Sequence, residues 1–174
     1  MSTLKTNTIQ AATGTTLNVG SGFKLSGAAG SIMIPGQVVQ TVYSSSAARD
    51  STTSETFVNS SLAATITPTS SSSKILVIVN AAMYTNTADR HAVAGIFRGD
   101  VSGTSLGAGT YDIGSAYAGG GPSKAYVCCS ILDSPSTTSA TTYTVGLRRN
   151  GASGTVYVNV NYERSTMVLQ EIAQ

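Results

Sequence analysis

Chemistry in this chain would have to run through very few groups. The one histidine, His91, stands in Asp89-Arg90-His91. A Ser-His-Asp triad needs only one imidazole, so the count permits it. No Gly-x-Ser-x-Gly elbow accompanies it, and no other local signature marks a nucleophile. A structural histidine at a strand start, beside a salt-bridged loop, is the plainer reading. The eight carboxylates are Asp50, Glu55, Asp89, Asp100, Asp112, Asp133, Glu163 and Glu171. Glycoside hydrolysis needs two of them facing one bond. None stands near another in a motif, so each reads as a solvated loop or strand-end group. Gly119-Gly120-Gly121 lacks the Lys and Ser/Thr of a phosphate-binding loop. One His and the adjacent pair Cys128-Cys129 do not have zinc spacing, and no calcium loop is present. No catalytic residue, metal or cofactor is expected.

Neighbouring cysteines close too small a ring for ordinary disulfide geometry. Cys128 and Cys129 therefore read as reduced, small apolar fillers on opposite faces of one strand, which suits cytosolic synthesis. The ten Lys and Arg residues are scattered, and the net charge is only +2. Nucleic-acid binding wants a basic stripe, so that partner is not expected. Aromatic residues make up 6% of the chain and Trp is absent, which also argues against a base-stacking platform. The opening Met1-Ser2-Thr3-Leu4-Lys5 has no apolar h-region, and the longest apolar run, Ile75 to Val79, is too short to span a bilayer. Neither a signal peptide nor membrane insertion is expected. Asn59-Ser60-Ser61 matches the glycosylation pattern, which has no consequence in a chain made in a cytosol.

The elements that must position these groups read as strands. Charged residues are 10% of the chain, and Ser and Thr together exceed a quarter. Abundant Thr and Val with few long helix formers favour strands. Eight segments carry the period of a strand or a doubly buried strand: 37–43, 56–67, 74–84, 91–98, 124–132, 141–149, 155–162 and 166–173. In 74–84 both faces are apolar, with Ile75, Val77, Val79, Ala81 and Met83 opposite Leu76, Ile78, Ala82 and Tyr84. Such a strand is expected to be covered on both sides, by the core and by a subunit contact. Asn150-Gly151 signals a hairpin. The fold class is all-β, an antiparallel β-sandwich of jelly-roll type with about eight strands.

Residues 1–36 differ. Their larger apolar residues are sparse, and Leu17 with Val19 and Phe23 with Leu25 are pairs separated by glycines. Such a segment cannot form its own core and must be ordered, if at all, by copies of itself or by a larger partner. The expected division is an N-terminal attachment and oligomerisation segment, 1–36, and a β-sandwich head, 37–174. Greasy surface left on the head suggests a homo-oligomer.

Binding is the better prospect for function. Tyr111, Asp112 and Tyr117 lie in a long Gly-rich region, 99–122, and Asn86, Asp89, Arg90 and His91 lie in a second loop region. Tyr offers rigid contact area and Gly adaptable shape, a combination that recognition surfaces use. The same tyrosines could instead pack on a neighbouring subunit.

Four stretches resemble small tail-fibre and virion structural proteins of marine bacteriophages, including cyanophages. They are Leu4-Lys5-Thr6-Asn7-Thr8-Ile9-Gln10 leading into 13–19, Ile66-Thr67-Pro68 running to Val77, Leu132-Asp133-Ser134-Pro135 with 137–143, and Val168-Leu169-Gln170-Glu171-Ile172-Ala173. The resemblance implies a virion component without enzymatic activity, made in the host cytoplasm and preferably trimeric. It implies attachment to other virion proteins through Leu4, Ile9, Leu17, Val19, Phe23 and Leu25. A host cell-surface glycan or protein would meet the loops that hold Asn86, Asp89, Arg90, His91, Tyr111, Asp112 and Tyr117. With no long shaft between the two parts, a short fibre, a spike or a fibre tip fits the length. The alternatives are a capsid decoration or tail-assembly protein with no receptor role, and a glycan depolymerase.

Overall fold

The computed structural model describes residues 21–22 and 34–174. The candidate attachment residues Leu4, Ile9, Leu17, Val19, Phe23 and Leu25 lie outside the described residues. The chain divides between Ile32 and Met33, and the second unit is described by itself.

Eleven strands and no helix occur among the described residues. They are β1 (Val38–Ser46), β2 (Asp50–Thr52), β3 (Val58–Ile66), β4 (Lys74–Thr85), β5 (Arg90–Arg98), β6 (Thr104–Ser105), β7 (Gly114–Ala118), β8 (Ser123–Asp133), β9 (Thr141–Asn150), β10 (Val156–Val158) and β11 (Ser165–Ile172). The first sheet is built on β4. Along one edge β8 pairs with its whole length. Along the other, β11 takes Lys74–Asn80 and β10 takes Met83–Thr85. Beyond these lie β1, paired with β11, and β2, paired with β10. Hence β1 and β2 share one strand position, interrupted once, and β10 and β11 share another. The second sheet runs β3-β9-β5, with the far edge of β5 divided between β7 and β6.

Counted by position rather than by segment, the described residues form eight strands in two four-strand sheets. Numbered along the chain, their order is 1-8-3-6 in one sheet and 2-7-4-5 in the other. That interleaving is a jelly roll, and all pairings are antiparallel. Only the step from β5 to β6 and β7 stays within one sheet. Every other connection between strand positions crosses the sandwich.

Alternation explains the core. Ile75, Val77, Val79, Ala81 and Met83 of β4 are almost wholly buried, as are Leu62 and Ile66 of β3, Ala92, Ala94 and Ile96 of β5, Tyr143, Val145 and Leu147 of β9, and Met167 and Leu169 of β11. Each large aliphatic side chain so buried contributes roughly 1.5–3 kcal/mol. Polar clamps close the sandwich where β8 and β11 end. The Tyr143 hydroxyl donates to Asp133 Oδ2 at 2.7 Å, and Arg98 Nε lies 3.3 Å from the same oxygen, which joins the two sheets. Glu171, fully buried, accepts from Gln40 Nε2 at 2.7 Å and from the Thr69 amide and hydroxyl at 2.8 Å each.

Two sequence expectations need correction. The strand expected over 155–162 stops at Val158, because Asn159, Asn161 and Tyr162 turn left-handed at φ 57°, 61° and 67°. Asn tolerates that region better than most residues. The Asn159 amide then donates to the Ser46 and Ala48 carbonyls, both at 3.0 Å, and its oxygen accepts from Ser165 Oγ at 2.6 Å. One buried side chain thus fixes the breaks in both divided strand positions of the first sheet. Secondly, Asn150-Gly151 does not join a hairpin. It carries the chain from β9 in one sheet to β10 in the other, with Gly151 at φ 123° against the Arg90 side chain.

Candidate interaction surfaces

Two outward faces stand out. The first belongs to the second sheet. On β5, His91, Val93, Gly95 and Phe97 face away from the core, because Ala92, Ala94 and Ile96 fill it. Tyr117 of β7 and Asn150 of β9 are the direct cross-strand partners of His91. The row Tyr117–His91–Asn150 therefore crosses three strands. Tyr111, in the turn before β7, comes down beside it. The His91 ring centroid lies 4.3 Å from that of Tyr111 and 4.5 Å from that of Tyr117. His91 Nδ1 is 3.0 Å from Ser115 Oγ, and the Tyr117 hydroxyl donates to Asp89 Oδ1 at 3.3 Å.

Electrostatics follow from this packing. Burial lowers the His91 pKa, so the imidazole is neutral at neutral pH. The nearby Asp89 charge raises the Tyr117 pKa, which keeps the phenol protonated. Among the described residues no carboxylate hydrogen-bonds to His91. The Ser115–His91 contact thus lacks the third member that would orient a catalytic imidazole. No group of three or more His, Cys, Asp or Glu side chains among the described residues could hold a metal ion.

The structure brings four of the seven sequence-derived loop residues together: Asp89, His91, Tyr111 and Tyr117. The other three go elsewhere. Arg90 does not pair with the Asp89 carboxylate. It donates to the Asp89 carbonyl at 2.6 Å and to the Ser153 carbonyl at 3.2 Å. Asn86 accepts from the Thr155 amide at 3.0 Å and so pins the β4–β5 loop to the start of β10. Asp112, at φ 46°, turns towards Ser105 and Gly107; burial raises its pKa, and its Oδ1 has no hydrogen-bond partner. Ser115 is not marked by the sequence and Asn150 only as half of a turn signal, since a hydroxyl or amide at a strand position carries no functional signal by itself.

Further along the same face, Gly95 of β5 and Gly146 of β9 are paired. Phe57 and Phe97 meet edge to face above them, with ring centroids 5.0 Å apart. A Cβ on Gly146 would lie 2.7 Å from Phe97 and 2.9 Å from Val101. The two glycines make a pit that the chain fills with its own side chains.

The second surface is the outer face of the first sheet. Its residues follow from register: Tyr43, Val168, Ile78 and Ser130 form one row across β1, β11, β4 and β8, and Thr41, Gln170, Leu76 and Leu132 the next. Tyr43 is 62% exposed, Tyr126 55%, Leu132 53% and Ile78 38%. Cys128, also on this face, is exposed; Cys129 turns inward, and burial raises its thiol pKa. Between Lys74 and Lys124 no outward residue of β4, β8, β11 or β1 is charged. The outer side of β4, expected to be covered, is open at Ile78 within the single chain.

The sequence matches no protein-family model and no curated protein. Solved structures of infectious bursal disease virus are similar in part. For its T=1 particles the TM-score is 0.46 with 12% identity, covering 87% of this chain and 41% of that one. For the Gt strain the values are 0.44, 12%, 79% and 39%, and for a VP2 subviral particle 0.41, 14%, 79% and 38%. The chain spans about two-fifths of the length of those chains. The jelly-roll assignment rests on strand order, independently of these neighbours.

Proposed function

We propose that this chain is a structural, non-enzymatic subunit of a bacteriophage particle, a short tail fibre or spike component that assembles from identical copies. Residues 1–36 would join it to other virion proteins, and the jelly-roll head would face the host. The observation that carries this reading is the outer face of the first sheet, whose rows between Lys74 and Lys124 carry no charged strand residue and expose Tyr43, Ile78, Tyr126 and Leu132. Exposed apolar patches of this kind mark contact surfaces. Tyr43, Ile78, Tyr126 and Leu132 would each contribute about 1 kcal/mol or more when covered by a second copy. Most soluble oligomers close by rotational symmetry, and a three-fold axis is the arrangement that the phage resemblance implies.

Analytical ultracentrifugation of the full chain tests the reading. The wild type should sediment as an oligomer. The double variant Ile78→Asp, Leu132→Asp should sediment as a single copy with an unchanged β spectrum, because both side chains point outward. A wild type that sediments as a folded single copy at micromolar concentration refutes assembly through identical copies. A variant that stays oligomeric refutes this face as the interface. Particles lacking the chain should adsorb poorly to host cells. Normal adsorption with reduced physical robustness would instead identify a decoration protein.

A further inference from the structure

The cluster around His91 leaves more aromatic surface open than packing requires. Tyr111 and Tyr117 are 44% and 51% exposed although both rings contact the imidazole. Tyr117 is stacked on His91 at an interplanar angle of 29°, so one ring face is covered and the open surface belongs largely to the other. The chain beside it is Gly119-Gly120-Gly121. Gly119 lies at the edge of the Tyr117 ring, where a Cβ would come within 3.4 Å of Cε1, and a Cβ at Gly120 or Gly121 would meet nothing within 4 Å. The Asp89 carboxylate stands at the Tyr117 hydroxyl, at the rim of this flat surface, whereas Asn150 lies beyond His91, on the covered side of the ring.

We propose that the Tyr117 ring, supported by His91 and Tyr111, is a platform for one neutral pyranose ring of a saccharide, with Asp89 meeting its hydroxyls. A pyranose has an apolar C–H face that suits an aromatic ring and a rim of hydroxyls that suits a carboxylate. Other flat or charged ligands fit less well. A nucleotide would bring phosphate towards Asp89, and the nearby cations are engaged. Arg90 is held by the Asp89 and Ser153 carbonyls, and Arg148 by the Thr110 carbonyl while it lies over Phe57. A cage for an ammonium group needs ring faces that converge on one point, whereas these rings lie against each other. The proposal deepens the host-contact part of the reading above and rests on it only for where the sugar is met. Affinity for one ring on an open platform should be on the order of 1 mM, and several copies on one particle would multiply it.

Saturation-transfer NMR on the full-length protein tests this, with the methyl glycosides of glucose, galactose, mannose and N-acetylglucosamine as probes. Transfer to the ring C–H protons of at least one probe is expected. Tyr117→Ala should weaken that binding about five- to tenfold, the size of a lost aromatic contact. Asp89→Asn, which keeps the shape, should weaken it less and should change which glycoside binds best. Sedimentation of both variants should match the wild type, because neither residue lies on the assembly face. No transfer to any of the four sugars overturns the proposal and leaves assembly untouched. Undiminished transfer to Tyr117→Ala overturns the platform. A shift of Tyr117→Ala to single copies would assign the ring to a subunit contact instead.

Discussion

Replacing Glu171 by Gln should destabilise the jelly roll strongly at neutral pH and hardly at all in acid. Glu171 is fully buried, and three donors reach it: Gln40 Nε2 on Oε2, and the Thr69 amide and hydroxyl on Oε1. Burial alone would raise its pKa. The hydrogen bonds, led by that of Gln40, outweigh burial and hold the carboxyl below its usual range. A glutamine keeps one oxygen for Thr69 but sets an NH2 group against the Gln40 NH2. If Gln40 turns over to accept, it gives up its own 2.7 Å bond to the Thr67 carbonyl. If Gln40 stays, one charge-assisted bond is lost, at about 1.5–3 kcal/mol, and two become neutral, at roughly 0.5–1 kcal/mol each; if it turns, three become neutral and the Thr67 bond is lost, for a similar total. The expected loss is about 3–4 kcal/mol at pH 7, or on the order of 10 °C in melting temperature. The sign with pH follows from the lowered pKa. The unfolded carboxyl binds protons more readily, so the stabilisation is present above the unfolded pKa and disappears as pH falls through the folded one. Urea denaturation from pH 7 to pH 3 should show the gap between wild type and variant closing in acid. A gap under about 0.5 kcal/mol at pH 7, or one that stays constant down to pH 3, would refute the account of the clamp.

Two further substitutions test the packing beneath the proposed surfaces. Gly146→Ala should cost about 1–3 kcal/mol in chemical denaturation, because its Cβ would sit 2.7 Å from Phe97 in a pit already filled. Asp112→Asn should raise stability at neutral pH: burial has lifted the carboxyl pKa, so the folded state holds the proton more tightly and loses stability as pH rises through the folded value. The advantage of the amide, read from melting curves, should therefore shrink towards pH 3.

Strand positions were legible wherever apolar residues alternate for a full strand length. Lys74–Thr85, Thr141–Asn150 and Ser165–Ile172 stand within a residue or two of the segments that periodicity marks. What escaped was short or polar. Asp50–Thr52 has no apolar residue, and Thr104–Ser105 is two hydroxyl residues; each is a strand only because a neighbour offers an edge. Gly114–Ala118 buries just Ala116 and Ala118, too little for a pattern to register. Asn150-Gly151 signalled a turn correctly and its partner wrongly, since a dipeptide fixes local φ and ψ but not which sheet the next strand joins. The aromatic cluster was half legible. Tyrosines in a Gly-rich loop point to a surface, yet Asp112 turns away from its neighbour Tyr111 through a left-handed backbone that composition does not reveal.

The two outer faces of the sandwich carry the functional argument because the chain treats them differently. Both sheets present apolar residues outward, which a single layer in water would not favour. On the second sheet the chain covers its own surface: paired glycines lower the floor, and Phe57 and Val101 fill the space above Phe97. On the first sheet no paired glycines underlie the Ile78 row, where register sets Tyr43, Val168 and Ile78 side by side, and the concavity lined by Ile78, Asn80, Cys128 and Ser130 is left open. Edge and surface protection in β proteins usually relies on charge placed outward. Its absence from the rows between Lys74 and Lys124, in a chain that elsewhere builds its own cover, is what a surface held for another copy would look like. The same logic separates this face from the Tyr117 row. There Asp89 sits at the hydroxyl of the exposed Tyr117 ring, and a carboxylate at the rim of aromatic surface suits a hydrated ligand better than a dry subunit contact.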